Sequence, residues 1–570
     1  MKRYFILLPS IFLIFTVSAQ TKPPKWIGKV EKAVFKLETT TKEGVTKTAS
    51  GFFVGDDGVA IAPYAPFRNA VKASVLTDDG RQFAVIKILG ADEMYDVISF
   101  KVAVPKKTPF IEKVKKAPFT GNVAIIPPSK EQPTMSKGTI AEITKQSGIY
   151  SYYKIDMPLH VSCEGYPLLD EDGGVFAISQ QDASGKGKTY GVSIDYILDI
   201  QLTATDLFKR TYSDIGIRKN WPTDVGEAHL ALLISTSSQD AATYLETLND
   251  FIATFPDDAD GYLTRANHYI SNNKELAASY GNDRYHYIDL AFADADKAAK
   301  ITKKKGEKEY NTAKLIFGAI TTDSTLNYKN FTLQTAADEV SKAIKENDLP
   351  EYHLLKGDIA FYNKDYNKAA EAYSVVNQTP LASGSSFYLA AKSKQQLNGV
   401  NPFEIVSLLD SAVSKAPAAE AAAYLLENID LKTTMALYDQ IIKDYDRYYL
   451  LVEGKVNDAF YYLREQAKFR SNDLEGALKD IDKAIMEADG KNAVYYAEKA
   501  SVLLRLKDLP NAQEAASKSI ALDPEFASAY RLLGIVLVRM DKKQDGCINL
   551  RKAKELGDTV AEKLIKENCN

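Results

Sequence analysis

The sequence predicts two modules: an all-β domain built as an antiparallel barrel or sandwich, then an all-α solenoid of helical repeats. Between about residues 28 and 203, short apolar runs alternate with turn dipeptides, a spacing typical of antiparallel barrels and sandwiches. From about residue 224 the apolar residues recur with a helical period, and the last part of the chain repeats every 34 residues. A chain of 570 residues is also too long for one core, so two or more domains are expected.

The first segment has the composition of an export signal. Lys2 and Arg3 precede an apolar run of about 16 residues that ends in Val17-Ser18-Ala19. This run is short for a bilayer span of about 20 residues. We therefore predict a cleaved signal peptide at 1–19 and an exported protein of the periplasm or outer-membrane periphery, with a retained N-terminal anchor as the alternative. No later segment is apolar enough to predict a transmembrane span.

The β module is predicted at residues 24–203. Its clearest strands cover 33–37, 51–54, 59–62 and 84–89, and its clearest turns are Asp57-Gly58, Asp79-Gly80 and Asp172-Gly173. A polar connector containing Asn220-Trp221-Pro222 follows. We predict a linker at 204–223 and a helical domain at 224–570.

The helical half repeats a pattern of small and large residues. Tyr496, Ala500, Leu503, Ala512, Ala516 and Pro524 recur 34 residues later as Tyr530, Gly534, Leu537, Gly546, Leu550 and Asp558. This pattern resembles the tetratricopeptide (TPR) repeat, which implies stacked helix pairs with a concave groove for a protein or peptide. The best copies cover 350–380 and 458–558. An insertion is expected near Gly281, and the register between 381 and 457 stays open.

The cysteines near the C-terminus are predicted to form a disulfide. Cys547 precedes Gly557 by ten residues and Cys569 follows it by twelve. If Gly557 ends one helix and Asp558 caps a final antiparallel helix from Thr559 to about 567, a rise of 1.5 Å per residue brings both cysteines about 15–18 Å from the turn. They should then lie side by side. The pattern also resembles the capping helix that ends many TPR proteins of bacterial envelopes.

Four blocks of the β module resemble trypsin-like serine proteases of the bacterial HtrA branch. They are Ser50-Gly51-Phe52-Phe53-Val54 with Asp57-Gly58, then Asp79-Gly80-Arg81-Gln82-Phe83, then Asp96-Val97-Ile98-Ser99-Phe100-Lys101-Val102, and finally the stretch 156–178. Their order and spacing match the family over about residues 30–200. The resemblance implies a double β-barrel with a substrate cleft.

The catalytic residues of that family are not matched. Ala65 fills the slot of the general base and Glu164 fills the slot of the nucleophile, while Asp96 keeps the slot of the orienting aspartate. Ser162 replaces a glycine of the oxyanion loop, and a carboxylate at 164 opposes the negative charge that the reaction develops. We therefore predict a pseudoprotease that is not an enzyme.

Three functional hypotheses remain open. The first is a non-catalytic adaptor that binds proteins or peptides through the repeat groove, with the vacated cleft holding an extended chain by strand addition. The second is a divergent peptidase with Cys163 as nucleophile and His160 nearby. In the third, the barrel only caps the solenoid and the repeats alone bind the partner.

Composition excludes several other classes of protein. Net charge is −4 with acidic and basic residues interspersed, which gives no basic footprint for nucleic acid. There is no CxxC pair and no glycine-rich phosphate loop, and the remaining histidines have no metal-ligand spacing: His229, His268, His286 and His353. We expect no metal and no cofactor.

Overall fold

The computed structural model describes residues 24–105, 107–125, 135–146, 148–157, 163–181 and 188–569. The predicted signal peptide at 1–19, together with His160 and Ser162, lies outside the described residues. The chain divides into two compact units, Met1–Arg265 and Ala266–Asn570.

Two closed six-stranded antiparallel barrels lie in the first unit. The first barrel has the strand order β1-β2-β3-β6-β5-β4 and the second has the order β10-β11-β12-β9-β8-β7. The strands are β1 Val34–Thr41, β2 Thr46–Phe53, β3 Val59–Ala62, β4 Ala70–Thr77, β5 Gln82–Asp92, β6 Val97–Val102, β7 Asn122–Ile125, β8 Ser136–Gln146, β9 Tyr150–Asp156, β10 Pro167–Leu169, β11 Val175–Gln181 and β12 Thr189–Ser193.

Alternating burial and glycine turns explain these strands. Along β1 every second side chain is buried, as expected when one face of a strand packs on a barrel core. Gly58, Gly80 and Gly173 adopt φ of +90°, +83° and +82°, the left-handed region that tight turns between strands require. The predicted turns are therefore present at the predicted places.

Three apolar clusters hold the first unit together. Phe35 and Phe100 belong to the core of the first barrel, and Tyr153 and Phe176 to that of the second. The third cluster combines residues from both barrels with the short helix α1 Ile27–Ala33 and the helix α2 Ile194–Leu198. The two barrels therefore share buried apolar surface, which fixes the loops that meet at their junction.

The predicted linker at 204–223 packs on the first barrel. It contains the helix α3 Arg210–Ser213, and its Tyr212, Ile215 and Ile217 are buried in the core of that barrel. The N–H of Gly216 donates to Ala70 O at 2.7 Å, so backbone pairing adds to the apolar contacts. These contacts place the segment within the first compact unit, whereas the domain boundaries at 203 and 224 stay a prediction.

All regular elements from residue 225 to 568 are helices. They are α4 Val225–Ser235, α5 Ala241–Thr254, α6 Ala259–Ser271, α7 Asn273–Tyr280, α8 Arg284–Thr302, α9 Glu307–Thr322, α10 Leu333–Glu346, α11 Pro350–Tyr362, α12 Tyr366–Val376, α13 Gly384–Gln395, α14 Pro402–Lys415, α15 Ala418–Thr434, α16 Tyr438–Leu451, α17 Asp458–Ser471, α18 Leu474–Glu487, α19 Ala493–Leu506, α20 Leu509–Leu522, α21 Ala527–Arg539, α22 Lys543–Glu555 and α23 Ala561–Asn568. From α7 onward each helix packs against the next, as in a solenoid.

The helix turns follow a repeated local rule. A residue with positive φ ends one helix, and the aspartate after it caps the next by accepting a hydrogen bond from the N–H three residues on. This pair occurs as Lys364-Asp365, Asn472-Asp473 and Lys507-Asp508. Helices α19 and α21 begin 34 residues apart, as the sequence period predicts. The predicted fold class, a trypsin-like double barrel followed by an all-α region, is confirmed.

The C-terminal hairpin is pinned as predicted. Cys547 and Cys569 form a disulfide with a Cα–Cα distance of 5.6 Å. Gly557 turns the chain with φ +94°, and the Asp558 carboxylate accepts hydrogen bonds from the N–H groups of Val560 and Ala561, each at 2.9 Å. The final helix begins at Ala561 rather than at Thr559, because residues 559 and 560 form a turn between Asp558 and the helix.

Candidate functional site

The segment that aligns with the general base of the proteases lies directly after β3. Ala65 opens a short 3-10 turn, Ala65–Phe67, and its side chain is exposed. The backbone N–H of Ala65 donates to Asp96 Oδ1 at 2.7 Å, and the N–H of Tyr64 donates to the Asp96 carbonyl at 3.3 Å. The carboxylate in the orienting slot is therefore held by the backbone N–H of Ala65, at the position where the resemblance implies an imidazole.

Asp96 is half-buried at the start of β6 in an uncommon backbone conformation, with φ +48°. Burial raises the pKa of its carboxyl, the backbone hydrogen bond from Ala65 opposes that shift, and the negative charge of Glu164 adds to it. Glu164 and Asp96 are thus electrostatic neighbours. The three predicted catalytic slots therefore lie close together, and they hold the exposed methyl group of Ala65 and the carboxyl groups of Asp96 and Glu164.

The loop that carries Glu164 is fixed to β11. Ser179 lies at its centre, because its hydroxyl donates to the Cys163 carbonyl at 2.7 Å and accepts from the Tyr166 N–H at 3.0 Å. The Gly165 N–H donates to the Ser179 carbonyl at 3.0 Å. The Glu164 side chain is exposed, whereas its neighbours on both sides are buried. Among the described residues of this loop, Glu164 is therefore the exposed charged side chain, on a backbone held by hydrogen bonds to Ser179.

Gly165 lets this loop approach the first barrel closely. It adopts φ +80°, and a Cβ built on it would lie 2.6 Å from Ser50 O and 2.8 Å from Pro63 Cδ. No side chain fits at such distances without a shift of the backbone. The loop thus sits against β2 and the end of β3, which explains why Glu164 faces the segment of Ala65 and Asp96.

Cys163 points away from this surface. Its side chain is 3% exposed and belongs to the core of the second barrel, with Tyr153, Tyr166 and Phe176 in the same cluster. A nucleophile must reach its substrate, whereas this thiol packs as a small apolar side chain. The proposed base of the alternative mechanism, His160, lies outside the described residues.

Sequence reasoning missed the polar bridge beside the site. The side-chain amide of Gln180 donates to the carbonyl of Tyr95, and its carbonyl oxygen accepts from the Tyr152 hydroxyl at 3.3 Å. Gln180 follows Ser179 on β11 and Tyr95 precedes Asp96, so this bridge adjoins the two carboxylates. Both bonds join residues that are distant in sequence, so no local pattern predicts the bridge.

The four histidines of the second half take local partners. His229 Nε2 lies 3.0 Å from Asp258 Oδ1, and His353 Nε2 lies 2.6 Å from Asp348 Oδ1. Among the described residues, no group of three or more His, Cys, Asp or Glu side chains is arranged to hold a metal ion. Within the same ranges, none of the helices combines the length and the apolar content that a bilayer span needs.

Comparison with known proteins gives a fold likeness only. No protein-family profile matches the chain, and no curated protein sequence matches it. Among solved structures it is similar to two structures of the HtrA-type protease AlgW with a tripeptide, one of them of a variant. In both, identity is 18%, the match covers 32% of this chain and 62% of the protease chain, and the TM-score is 0.27. The chain therefore spans less than two thirds of those structures, and the fold assignment rests on the two closed barrels.

Proposed function

We propose that this protein is a non-catalytic adaptor of the bacterial cell envelope, in which a pseudoprotease domain and TPR-type repeats bind proteins or peptides. One observation carries the proposal. The Asp96 carboxylate accepts its hydrogen bond from the backbone of Ala65 and has Glu164 as its charged neighbour. A serine-protease triad needs a general base at the position of Ala65 and a nucleophile at the position of Glu164.

The chemistry of these side chains supports binding rather than turnover. A methyl group takes no proton, and a carboxylate in the nucleophile slot repels the oxyanion of acyl transfer. Loss of triad members costs about 10⁴–10⁶ in turnover in serine proteases. The cleft beside these residues needs no catalytic group to hold an extended chain, because strand addition uses backbone hydrogen bonds.

The helical repeats support a role in binding, and the disulfide supports an exported location. Stacked helix pairs offer extended surfaces that suit protein or peptide partners. Disulfides persist in oxidising compartments, so the Cys547–Cys569 bond is typical of an exported protein. We place the adaptor in the periplasm or at the outer-membrane periphery.

A peptidase assay tests the absence of catalysis. The full chain, purified from an oxidising compartment, is incubated with casein and with a fluorogenic peptide library, beside a Cys163→Ala protein prepared in the same way. We expect no cleavage by either protein. Cleavage by the wild type that is lost in Cys163→Ala would refute the proposal in favour of a cysteine peptidase. The Ala65→His and Glu164→Ser changes together are not expected to create turnover, because Ser162 also departs from the protease pattern.

A binding experiment tests the adaptor role itself. The exported full chain is crosslinked in its native envelope, and its partners are identified with and without competing pools of extended peptides. We expect reproducible protein partners, of which at least one is displaced by peptide. A chain that retains neither protein nor peptide under these conditions would overturn the adaptor proposal.

A further inference from the structure

Five tyrosine rings form a continuous line beside the carboxylate pair. From ring centroid to ring centroid, Tyr150 lies 5.4 Å from Tyr196, Tyr196 lies 5.6 Å from Tyr95, Tyr95 lies 6.3 Å from Tyr152 and Tyr152 lies 5.8 Å from Tyr190. We call this line the tyrosine ladder. Its residues come from β9, β12, α2 and the loop between β5 and β6. Barrel closure therefore assembles one aromatic surface from distant parts of the chain.

The tyrosine ladder is accessible along its length. All five rings are half-buried, so each keeps an open edge or face. Two large apolar side chains flank the ladder, Met94 at 85% exposure and Ile149 at 71% exposure. Large apolar side chains next to open aromatic rings mark interaction surfaces, because their exposure to water is unfavourable.

The hydroxyl groups of the ladder are oriented by carboxylates and by the Gln180 bridge. The Tyr196 hydroxyl donates to Asp92, and the Tyr150 hydroxyl donates to Asp199 Oδ2 at 3.1 Å. Gln180 joins Tyr152 to the backbone of Tyr95. These bonds fix the rings before a ligand arrives, which lowers the entropy cost of binding.

The charge beside the ladder is mainly negative, although Arg68 lowers the pKa of Asp96 electrostatically and Lys145 Nζ donates to the Ile149 carbonyl at 3.1 Å. Four carboxylates lie on it or next to it, and within the described parts of the chain none of them forms an ion pair: Asp92, Asp96, Glu164 and Asp199. A neighbouring acid differs, because Asp195 pairs with Lys113 at 2.6 Å. The ladder therefore combines partly exposed tyrosine rings with four carboxylates that form no ion pair among the described residues.

This combination selects cationic ligands. The face of a tyrosine ring attracts an ammonium or guanidinium group, and the planar guanidinium of arginine also stacks on the ring. Unpaired carboxylates strengthen that attraction and disfavour an acidic partner. The exposed Met94 and Ile149 add apolar contacts for the intervening side chains of an extended peptide.

We propose that the tyrosine ladder and its four carboxylates form the peptide-recognition surface of the double-barrel domain, and that its ligand is an extended segment rich in arginine or lysine. This inference rests on the proposed adaptor function and names the chemical class of its peptide partner. Tyr95, the middle ring of the ladder, directly precedes Asp96 in the chain, so the surface adjoins the vacated cleft.

Fluorescence anisotropy with matched peptides tests the charge preference. Three short labelled peptides alternate valine with arginine, with glutamine or with glutamate, and each is titrated with the full-length protein at low salt. We expect the arginine peptide to bind at least tenfold more tightly than the glutamate peptide, with the difference shrinking as salt is raised. Equal affinities for the three peptides would overturn the inference.

Variants locate the binding surface. Asp199→Asn and Glu164→Gln should each weaken binding of the arginine peptide by about threefold to tenfold. Asp439→Asn, at an exposed acid in the first turn of α16, is the matched control and should leave binding unchanged. Unchanged affinity in both Asp199→Asn and Glu164→Gln would overturn the assignment.

Ring variants separate stacking from folding. The Tyr152→Leu change should weaken binding of the arginine peptide by about threefold to tenfold, whereas Tyr152→Phe keeps the ring and should bind the peptide more tightly than Tyr152→Leu does. Tyr362→Leu, at a tyrosine on α11 that is 47% exposed, is the matched control and should have no effect. A weakening that appears equally in Tyr362→Leu would contradict a role for the ladder.

The outcomes distinguish this inference from the adaptor proposal. Peptide binding with no preference for basic residues would refute the ladder as a cation-selective surface and leave the adaptor function standing. Binding of the arginine peptide that survives all ladder variants would place recognition elsewhere, in the repeats, and would also refute the inference. Absence of any peptide or protein partner would refute both.

Discussion

Removal of the C-terminal disulfide should release the last helix without unfolding the rest of the chain. In α23 only Ala561 is fully buried, so apolar contacts hold this helix weakly. Its other anchors are the Asp558 cap and the ion pair of Asp558 with Arg531 at 2.7 Å. The disulfide closes a loop with a sequence separation of 22 residues. In the chain-entropy model such a loop stabilises the folded state by about 3 kcal/mol.

The perturbation is Cys569→Ser, because Cys569 is half-buried and Cys547 is buried in α22, where a substitution would also disturb packing. We expect amide exchange in α23 to accelerate on the order of 100-fold, since every 1.4 kcal/mol is a factor of ten. Exchange in α21 and in the barrels should not change. Hydrogen exchange of the full chain, read by mass spectrometry, measures each region separately.

Two controls accompany that measurement. Cys163→Ala removes a thiol outside the disulfide and should leave exchange in α23 unchanged, and mild reduction of the wild type should reproduce the Cys569→Ser pattern. Unchanged protection of residues 559–569 in Cys569→Ser would show that packing alone holds the last helix, and would refute this reasoning. Global loss of protection would refute it as well, because repeats distant from the C-terminus do not contact α23.

Three further predictions concern buried groups. Gly165→Ala should destabilise the protein in thermal unfolding by at least about 2 kcal/mol more than Gly80→Ala, because both glycines have positive φ but only Gly165 has atoms within 4 Å of the added Cβ. Burial raises the pKa of Glu465 from 4.5 to about 7, so the unfolding free energy should fall as pH rises through this window. Glu465→Gln should reduce that slope in denaturant titrations at several pH values, and Glu498, whose pKa burial also raises, contributes to the slope that remains. Lys432→Met should lower the free energy of unfolding by about 3 kcal/mol and accelerate amide exchange in α14–α16, because it leaves the half-buried Asp444 without its 2.7 Å ion pair. Amide exchange in α14–α16 at the wild-type rate would contradict this prediction.

The sequence was sufficient to predict those features whose physical cause lies in nearby residues. Alternation along β1 reports which face of the strand is buried, and glycine at 58, 80 and 173 reports a backbone angle that other residues avoid. The 34-residue period reports the geometry of one helix pair repeated along the chain. The disulfide followed from helix rise on either side of Gly557. In each case the residues that determine the feature lie within a few turns or strands of one another.

Tertiary structure decided what lies across the barrels. The hydrogen bond from Ala65 to Asp96 joins residues 31 positions apart, and the charge of Glu164 reaches Asp96 only because Gly165 lets its loop meet the first barrel. The packing of 204–223 on the first barrel was equally hidden, since a polar connector and a segment with a few well-placed apolar side chains look alike in sequence. Such contacts depend on strand register and barrel closure, which bring together side chains that local periodicity treats as independent. The tyrosine ladder has the same origin. In the sequence its five tyrosines are separate residues with no common pattern. The closed second barrel, packed against the loop of Tyr95, places them in one line.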